Sequence, residues 1–421
     1  MIVKNPSKIK VPDYLDEQFF VNTLEEGLRE TKVKIHEINF EWGSNPGDNY
    51  CSSIYRVLLV FERYSTEKAE KEKLSLIVKT IPITQETQFL EDVGVFIKEK
   101  LTYTDVLPRL EILTNGEKFG AKLYHAIKAP IQTVVFNDLK VEGFDTASRH
   151  EGLDWLHSKL ILEQLGKFHA TSMVLAHRDP TIIPRLQKGM LSAETVLQSE
   201  TFFIMFGGSL AQLISVTKTW PTFEKIAEKL QRYYDNFKEI TSKLALPKPG
   251  DRITVLNHGD LWTTNFMYTH NDKNFPNTPT KAIFVDFQLS FYGSPAHDLN
   301  FFLNTSVQLN VLQHKRDDLI AAYYKSFSDT LVFLRYEKIP TLDDLKYELR
   351  SRELVGLFGL FAFLPMISLP KELSEGNSID SMTDAEGKRK KFEAVFGNPK
   401  LQETFKWGLK RFNDLGVLDD Y

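Results

Sequence analysis

Four polar side chains fall within 29 residues in an order that could manage a divalent cation and a proton: His258, Asp260, Asn265 and Asp286. The stretch HGDLWTTN, 258–265, follows the apolar run ITVL and precedes FMY, so a polar loop interrupts strand-like sequence. Loops held on a rigid scaffold carry a disproportionate share of binding and catalytic side chains. A further strand-like run, KAIFVDFQ at 281–288, contains Asp286 near its end. If the runs at 252–256 and 281–288 form a hairpin, Asp260, Asn265 and Asp286 come together at one end of it. Three oxygen side chains suit Mg²⁺, which takes carboxylate and amide oxygens while keeping some of its waters. Turn residues and a strand-end cap would explain any one of them, but not the ordered set.

The offset of five from Asp260 to Asn265 matches the H-R-D-L-x-x-x-N catalytic loop of protein kinases, with Gly259 in place of Arg. Asp286 and Phe287 match the start of D-F-G, with Gln288 in the third place. Phosphoryl transfer also needs groups that hold ATP. Leu76-Ile77-Val78-Lys79 is an apolar strand ending in a lysine that would neutralise the α- and β-phosphates, and Glu99, twenty residues on, lies where it could pair with Lys79. The polar turn NPGDNYCSSIYRV at 45–57 falls short of a glycine-rich loop. Gly47 and Asn49, with backbone N–H groups and the Ser52 or Ser53 hydroxyl, would have to cover the phosphates. VVFNDLK at 134–140 places Asn137, Asp138 and Leu139 where an interlobe hinge would offer backbone groups to adenine.

The elements that must position these residues change texture near residue 140. Before it, strand-like runs dominate at 52–64, 73–82, 122–127 and 132–139. One helix interrupts them, with Phe89, Val93, Phe96 and Leu101 at helical spacing. After it the chain is mostly helical, with a long helix over 153–173 and others over 221–246, 308–336, 342–366 and 391–413. The pattern implies an α+β fold: an N-terminal antiparallel sheet lobe (1–136) with one key helix, and a larger, mainly helical C-terminal lobe (137–421).

These pieces resemble the ecdysteroid kinase-like (CHK-kinase-like) family of insects, within the choline kinase and aminoglycoside phosphotransferase branch of the protein-kinase-like fold. PGDNYCSSIYRV, LIVK, EKLTYTDVLP, VVFNDL, LGKFHA, HGDLWTTN, VDFQ and SPAHDLNFFL carry the resemblance, over residues 46 to about 303. It implies a bilobal kinase-like fold and assigns Asp260 as the catalytic-loop Asp, Asn265 and Asp286 as Mg²⁺ ligands, and Lys79 with Glu99 as the ATP-orienting pair. The hinge would be 137–139, with Asn137 where the family often has Glu. His169 and Asp298 would brace the catalytic loop. His258 would anchor that loop through backbone hydrogen bonds or serve as an acid–base group. Asp260 would take the acceptor proton, for which a loose transition state requires no raised pKa.

Composition narrows the partners. A net charge of −4 and a pI near 6.2 give no footprint for nucleic acid. KRKK at 388–391 reads as a solvated helix face. A lone cysteine, Cys51, excludes a disulfide framework and fits a reducing, cytoplasmic setting. The start of the chain shows no secretion signal, so the sequon at Asn304 is expected to go unused. LVGLFGLFAFLPMISLP at 354–370 is short for a membrane span and reads as a buried helix. No membrane and no obligate protein partner are implied.

Only twelve positions separate Asp286 from Asp298, which leaves little platform for a peptide and favours a small alcohol as acceptor. The resemblance points to an ecdysteroid or another lipophilic alcohol, with choline or an amino sugar as the alternative. The apolar stretches 201–210 and 354–370 could wall such a molecule or fill an ordinary core. A metal-dependent phosphohydrolase using His258, Asp260, Asp286 and His297 would leave Lys79, Glu99 and Asn265 unexplained. A silent ligand-binding protein would not need the full polar set.

Overall fold

The computed structural model describes residues 2–4, 9–29, 32–44, 52–64, 70–82, 88–148, 150–248, 250–270, 277–370, 373 and 385–419. Its N-terminal part builds one six-stranded sheet from β1 (Ile2–Lys4), β2 (Val33–Trp42), β3 (Ser53–Arg63), β4 (Glu72–Ile81), β5 (Leu123–Ile127) and β6 (Gln132–Asn137). The strand order is β1-β2-β3-β4-β6-β5, antiparallel except where β1 runs alongside β2. Period-two alternation divides the sheet's faces. Val57, Leu59, Phe61, Leu76 and Val78 enter a core against α1 (Glu17–Leu28), while Ile54, Arg56, Ile77 and Lys79 face the cleft between the lobes. The strands lie within a residue or two of the runs read from sequence. β2 and α1 had no sequence expectation.

The single helix expected around Glu99 is two. Gly94, at φ +75°, separates α2 (Gln88–Val93) from α3 (Val95–Leu101). A left-handed residue ends a helix, and glycine adopts that conformation without a Cβ clash. A π-helical turn over Thr102–Val106 then leads into α4 (Leu107–Leu113).

The C-terminal part opens on α5 (Trp155–Arg178), whose first turn is capped by Asp154 accepting from the His157 N–H at 2.9 Å. α5 packs along the helix Leu309–Phe333. Gly166 permits the approach, since a Cβ there would sit 2.7 Å from the Tyr323 carbonyl oxygen.

The catalytic-loop strands pair differently from the expected hairpin. β7 (Val255–Asn257) pairs with β10 (Phe291–Gly293), and the hairpin forms instead between β8 (Phe266–Thr269) and β9 (Lys281–Phe284). The polar loop thus joins two small sheets. Asp286 lies just beyond β9, in left-handed conformation at φ +67°.

The apolar stretches 201–210 and 354–370 pack against each other in a second core. Phe202 stacks on Phe358 at 6.1 Å and Phe206 on Phe363 at 5.3 Å, with Tyr233 and Phe237 behind them. Helical structure covers 353–367 with most of its side chains buried. Among the described residues one run, Glu200–Thr217, is long and apolar enough to cross a membrane by length and composition alone, and half of it is buried.

Candidate active site

The cleft between the sheet and the helical part encloses about 400 Å³. Ile54, Ile77 and Ala121 form its upper apolar wall, and Met267 and Val285 its lower one. Lys79, Glu99, Asn265 and Asp286 line its polar end.

Lys79 pairs with Val134 in the sheet register, and its ammonium reaches across to the other lobe. It donates to Glu99 Oε2 at 2.9 Å and Oε1 at 3.1 Å, to Asp286 Oδ1 at 2.7 Å and to Gln288 Oε1 at 3.2 Å. Burial alone would lower its pKa, but the charges of Asp286 and Glu99 outweigh that and hold the ammonium above the ordinary lysine range. Glu99 is fully buried, with Lys79 to balance its charge. Gln288 also donates to Asp286 Oδ2 at 3.3 Å, tying the Asp-Phe-Gln turn to the lysine.

Gly259 explains the departure from the protein-kinase loop. It sits at φ +83°, and a Cβ there would fall 2.1 Å from the Leu289 carbonyl oxygen, so no side chain fits. Asp298 holds the loop from below, accepting from His258 N at 2.6 Å, Gly259 N at 2.9 Å and His169 Nε2 at 3.1 Å. Burial would raise the Asp298 carboxyl, but the His169 hydrogen bond and the neighbouring histidines and main chain hold it below its usual value. The Tyr323 hydroxyl lies 2.8 Å from His169 Nδ1, and burial holds the imidazole below its usual pKa despite Asp298.

His258 is fully buried. Its Nε2 donates to the Val285 carbonyl at 2.9 Å, and its Nδ1 accepts from Asp260 N at 3.3 Å. With both ring nitrogens committed to main chain, it has no free position from which to exchange a proton. Its ring packs on Phe287 at 4.8 Å, which in turn meets Tyr103 at 5.4 Å.

Asp260 is 8% exposed. Asn265 Nδ2 donates to its Oδ2 and to its carbonyl oxygen, both at 2.9 Å, and the Trp262 side chain hydrogen-bonds it as well. Burial, then the charge of Asp286, pushes its carboxyl up to about 7. The sequence expectation needed no such shift; it arises because the loop is dry and two acids share it. With its amide nitrogen turned to Asp260, Asn265 presents an amide oxygen that accepts only a long 3.4 Å bond from Thr264 Oγ1, and both Asn265 and the Asp286 carboxylate line the cleft. Hard oxygen donors of this kind fit Mg²⁺.

Residues 46–336 match the ecdysteroid kinase-like family. The chain belongs to that family. No curated protein matches this ecdysteroid kinase-like chain. Among solved structures, it is similar to a microcompartment-associated aminopropanol kinase at 11% identity and TM-score 0.36, covering 95% of this chain and 99% of that one. A thermostable mutant of the aminoglycoside phosphotransferase APH(4)-Ia gives 9% and 0.33, over 92% and 99% of the two chains. A glucosamine kinase in complex with glucosamine, ADP and inorganic phosphate gives 10% and 0.29, over 92% and 94%. Family membership makes the protein an ATP-dependent small-molecule kinase with a bilobal, kinase-like fold.

Several sequence-selected residues of this kinase-like protein meet in the cleft and others do not. Asn137, Asp138 and Leu139 line it. Their polar side chains, however, bond to neighbouring protein groups: Asp138 accepts from Arg56 Nε at 2.7 Å and Ser75 Oγ at 2.8 Å, and Asn137 accepts from Lys122 N at 2.7 Å and donates to Glu142. Gly47 and Asn49 lie outside the described residues; Ser52 is half-buried just before β3. His297 does not join His258 and Asp260 in a metal cluster, and among the described residues no group of three or more His, Cys, Asp or Glu could hold a metal. Sequence reasoning missed Trp262 and the apolar walls. Trp262 had a visible signal, an aromatic residue inside a mainly polar loop.

Proposed function

We propose that the protein transfers the γ-phosphoryl group of ATP to a hydroxyl of a small, uncharged, lipophilic alcohol, such as an ecdysteroid or a xenobiotic metabolite, in a cytoplasmic setting. The observation that carries this reading is the joining of the two halves at one point: Lys79 bridges Glu99 and Asp286, with the Asp260–Asn265 pair beside them on the cleft floor. Residues 134–140 serve as the hinge, and adenine lies between Ile54 and Ile77 above and Met267 and Val285 below, read by main chain.

Lys79 steadies the α- and β-phosphates, and Glu99 holds the lysine in place. Asn265 and Asp286 would hold Mg²⁺, which when bound supplies charge neutralisation for the phosphates. Asp260 orients the acceptor hydroxyl and takes its proton. A carboxyl poised near neutrality suits that role, because a general base works best with a pKa near the operating pH. His258, His169 and Asp298 are positioning residues that fix the loop. The segment after Asp286 runs through a short 3₁₀ turn and β10 directly into the helix Ala296–Thr305, which leaves no ledge for a peptide.

The test is to incubate purified protein with ATP and Mg²⁺ and ecdysteroids, plant glycosides, choline or amino sugars, with mass detection of a phosphate adduct. An adduct on a neutral lipophilic alcohol, absent in Asp260→Asn, is expected. Adducts confined to choline or amino sugars would overturn the acceptor assignment.

A further inference from the structure

Asp260 lies between two hollows in the loop sequence. The nucleotide cleft touches the catalytic loop at Thr264 and Asn265, whereas a second, smaller cavity of about 30 Å³ touches it at Gly259. Met190, Leu191, Phe291, Phe301 and Phe358 give this cavity apolar walls. Two polar side chains reach it, Asp298 and His297. Asp298 is already committed to His258, Gly259 and His169.

His297 is not. It is 5% exposed, its ring meets Phe291 edge-on at 5.1 Å, and neither ring nitrogen has a hydrogen-bond partner among the described residues. The ring nitrogens are not sealed off, so a water or a ligand oxygen in the hollow can meet them. The cavity has room for an oxygen-bearing group, since a single water needs roughly 10–15 Å³ of such volume. Burial, aided by the Arg352 charge, drives the pKa of His297 down to about 3, so its imidazole is neutral and offers one N–H donor and one lone pair. A hydroxyl or a ketone can use them; a cation would find no uncommitted carboxylate among the lining residues.

We propose that this cavity is the closed end of the acceptor site, and that His297 hydrogen-bonds a second oxygen, hydroxyl or keto, of an uncharged, mostly apolar alcohol whose first hydroxyl reaches Asp260. The proposal rests on the phosphotransferase reading. In transfer, the first hydroxyl oxygen bonds to the γ-phosphorus, the bond from that phosphorus to the β,γ-bridging oxygen breaks, ADP leaves, and the hydroxyl proton passes to Asp260. Attacking and leaving oxygens are roughly in line, so the acceptor approaches from the side away from the nucleotide. Gly259 and His297 line the hollow that is not the nucleotide's. The cavity's size admits one end of the acceptor rather than the whole molecule.

The probes are 1,8-octanediol and 1-octanol, titrated by calorimetry onto full-length protein loaded with Mg²⁺ and a non-hydrolysable ATP analogue. Wild type should bind the diol about tenfold more tightly, the worth of one neutral hydrogen bond to a group otherwise left unpaired. His297→Phe should bind both alcohols equally, His297→Gln should keep part of the preference, and nucleotide affinity should be unchanged in each. Should His297→Phe not fold, the imidazole ¹⁵N resonances of wild-type His297 decide, shifting with the diol and not with octanol. Equal affinities in wild type, a preference that survives in His297→Phe, unmoved resonances, or no alcohol binding by nucleotide-loaded protein would overturn the cavity assignment alone. Failure to bind the nucleotide at all would defeat the phosphotransferase reading and this proposal with it.

Discussion

Replacing Asp260 by Asn should remove activity and stabilise the protein at the same time. Its carboxyl titrates near 7 in the folded chain against 3.8 for an unperturbed Asp, because it is buried and faces Asp286. The sign follows from linkage: a raised carboxyl pKa makes the ionised form unfavourable in the fold, so the cost is absent below about pH 4, grows through the interval to 7, and is complete above it. At about 1.4 kcal/mol per pH unit the ceiling is about 4 kcal/mol. Some of this is relieved by relaxation around the loop, and about 1–3 kcal/mol is expected to appear. At about 2–4 °C per kcal/mol for domains of 150–250 residues, Asp260→Asn should melt about 2–12 °C higher at pH 8. The gain should shrink steadily toward pH 4, and also when Mg²⁺ and a non-hydrolysable ATP analogue offset the charge of Asp286. Turnover should fall by roughly 10²–10⁴, with nucleotide affinity nearly unchanged. Differential scanning fluorimetry across pH 5–8.5, beside steady-state kinetics, measures both effects. An Asn variant that melts at or below wild type at pH 8 would refute the poised-base assignment, since the carboxylate would then be stabilised by its surroundings.

Asp286→Ala should abolish transfer and weaken Mg²⁺-dependent nucleotide binding, measured by titration with and without the metal; near-normal turnover would remove Asp286 from the site. Lys79→Met and Glu99→Gln should each lower turnover strongly, with the double variant little worse than Lys79→Met, because the two are hydrogen-bonded at 2.9 Å and act as a unit. Fully additive losses would mean that they act independently. Asp298→Ala should do the reverse of Asp260→Asn on stability: it removes the acceptor of the His258 and Gly259 N–H groups and of His169 Nε2, leaving His169 only its Tyr323 contact, for a loss of about 3–5 kcal/mol by urea denaturation. A loss below about 1 kcal/mol would deny it the bracing role.

How far the site could be read from sequence follows from which constraints are local. HGDLWTTN and VDFQ are legible because catalytic loops concentrate polar residues between apolar strands, and Lys79 is legible because strand alternation fixes which face it takes once Leu76 and Val78 are buried. Strand partnership is not local. β7 and β9 looked like the two arms of one hairpin, but Leu256 lies opposite Tyr292 of β10, and the Asp260–Asn265 loop itself separates β7 from β8. The same limit applies to aromatic composition. Phe202, Phe206, Phe358 and Phe363 could have walled a ligand or filled a core, and only their mutual stacking places them in the core. That outcome leaves only the edge of this core, where Val355 and Phe358 meet the catalytic loop at Gly259, as a wall for the acceptor. There, Gly259, Phe291 and His297 line the small, mostly apolar hollow in which we place the acceptor's second oxygen.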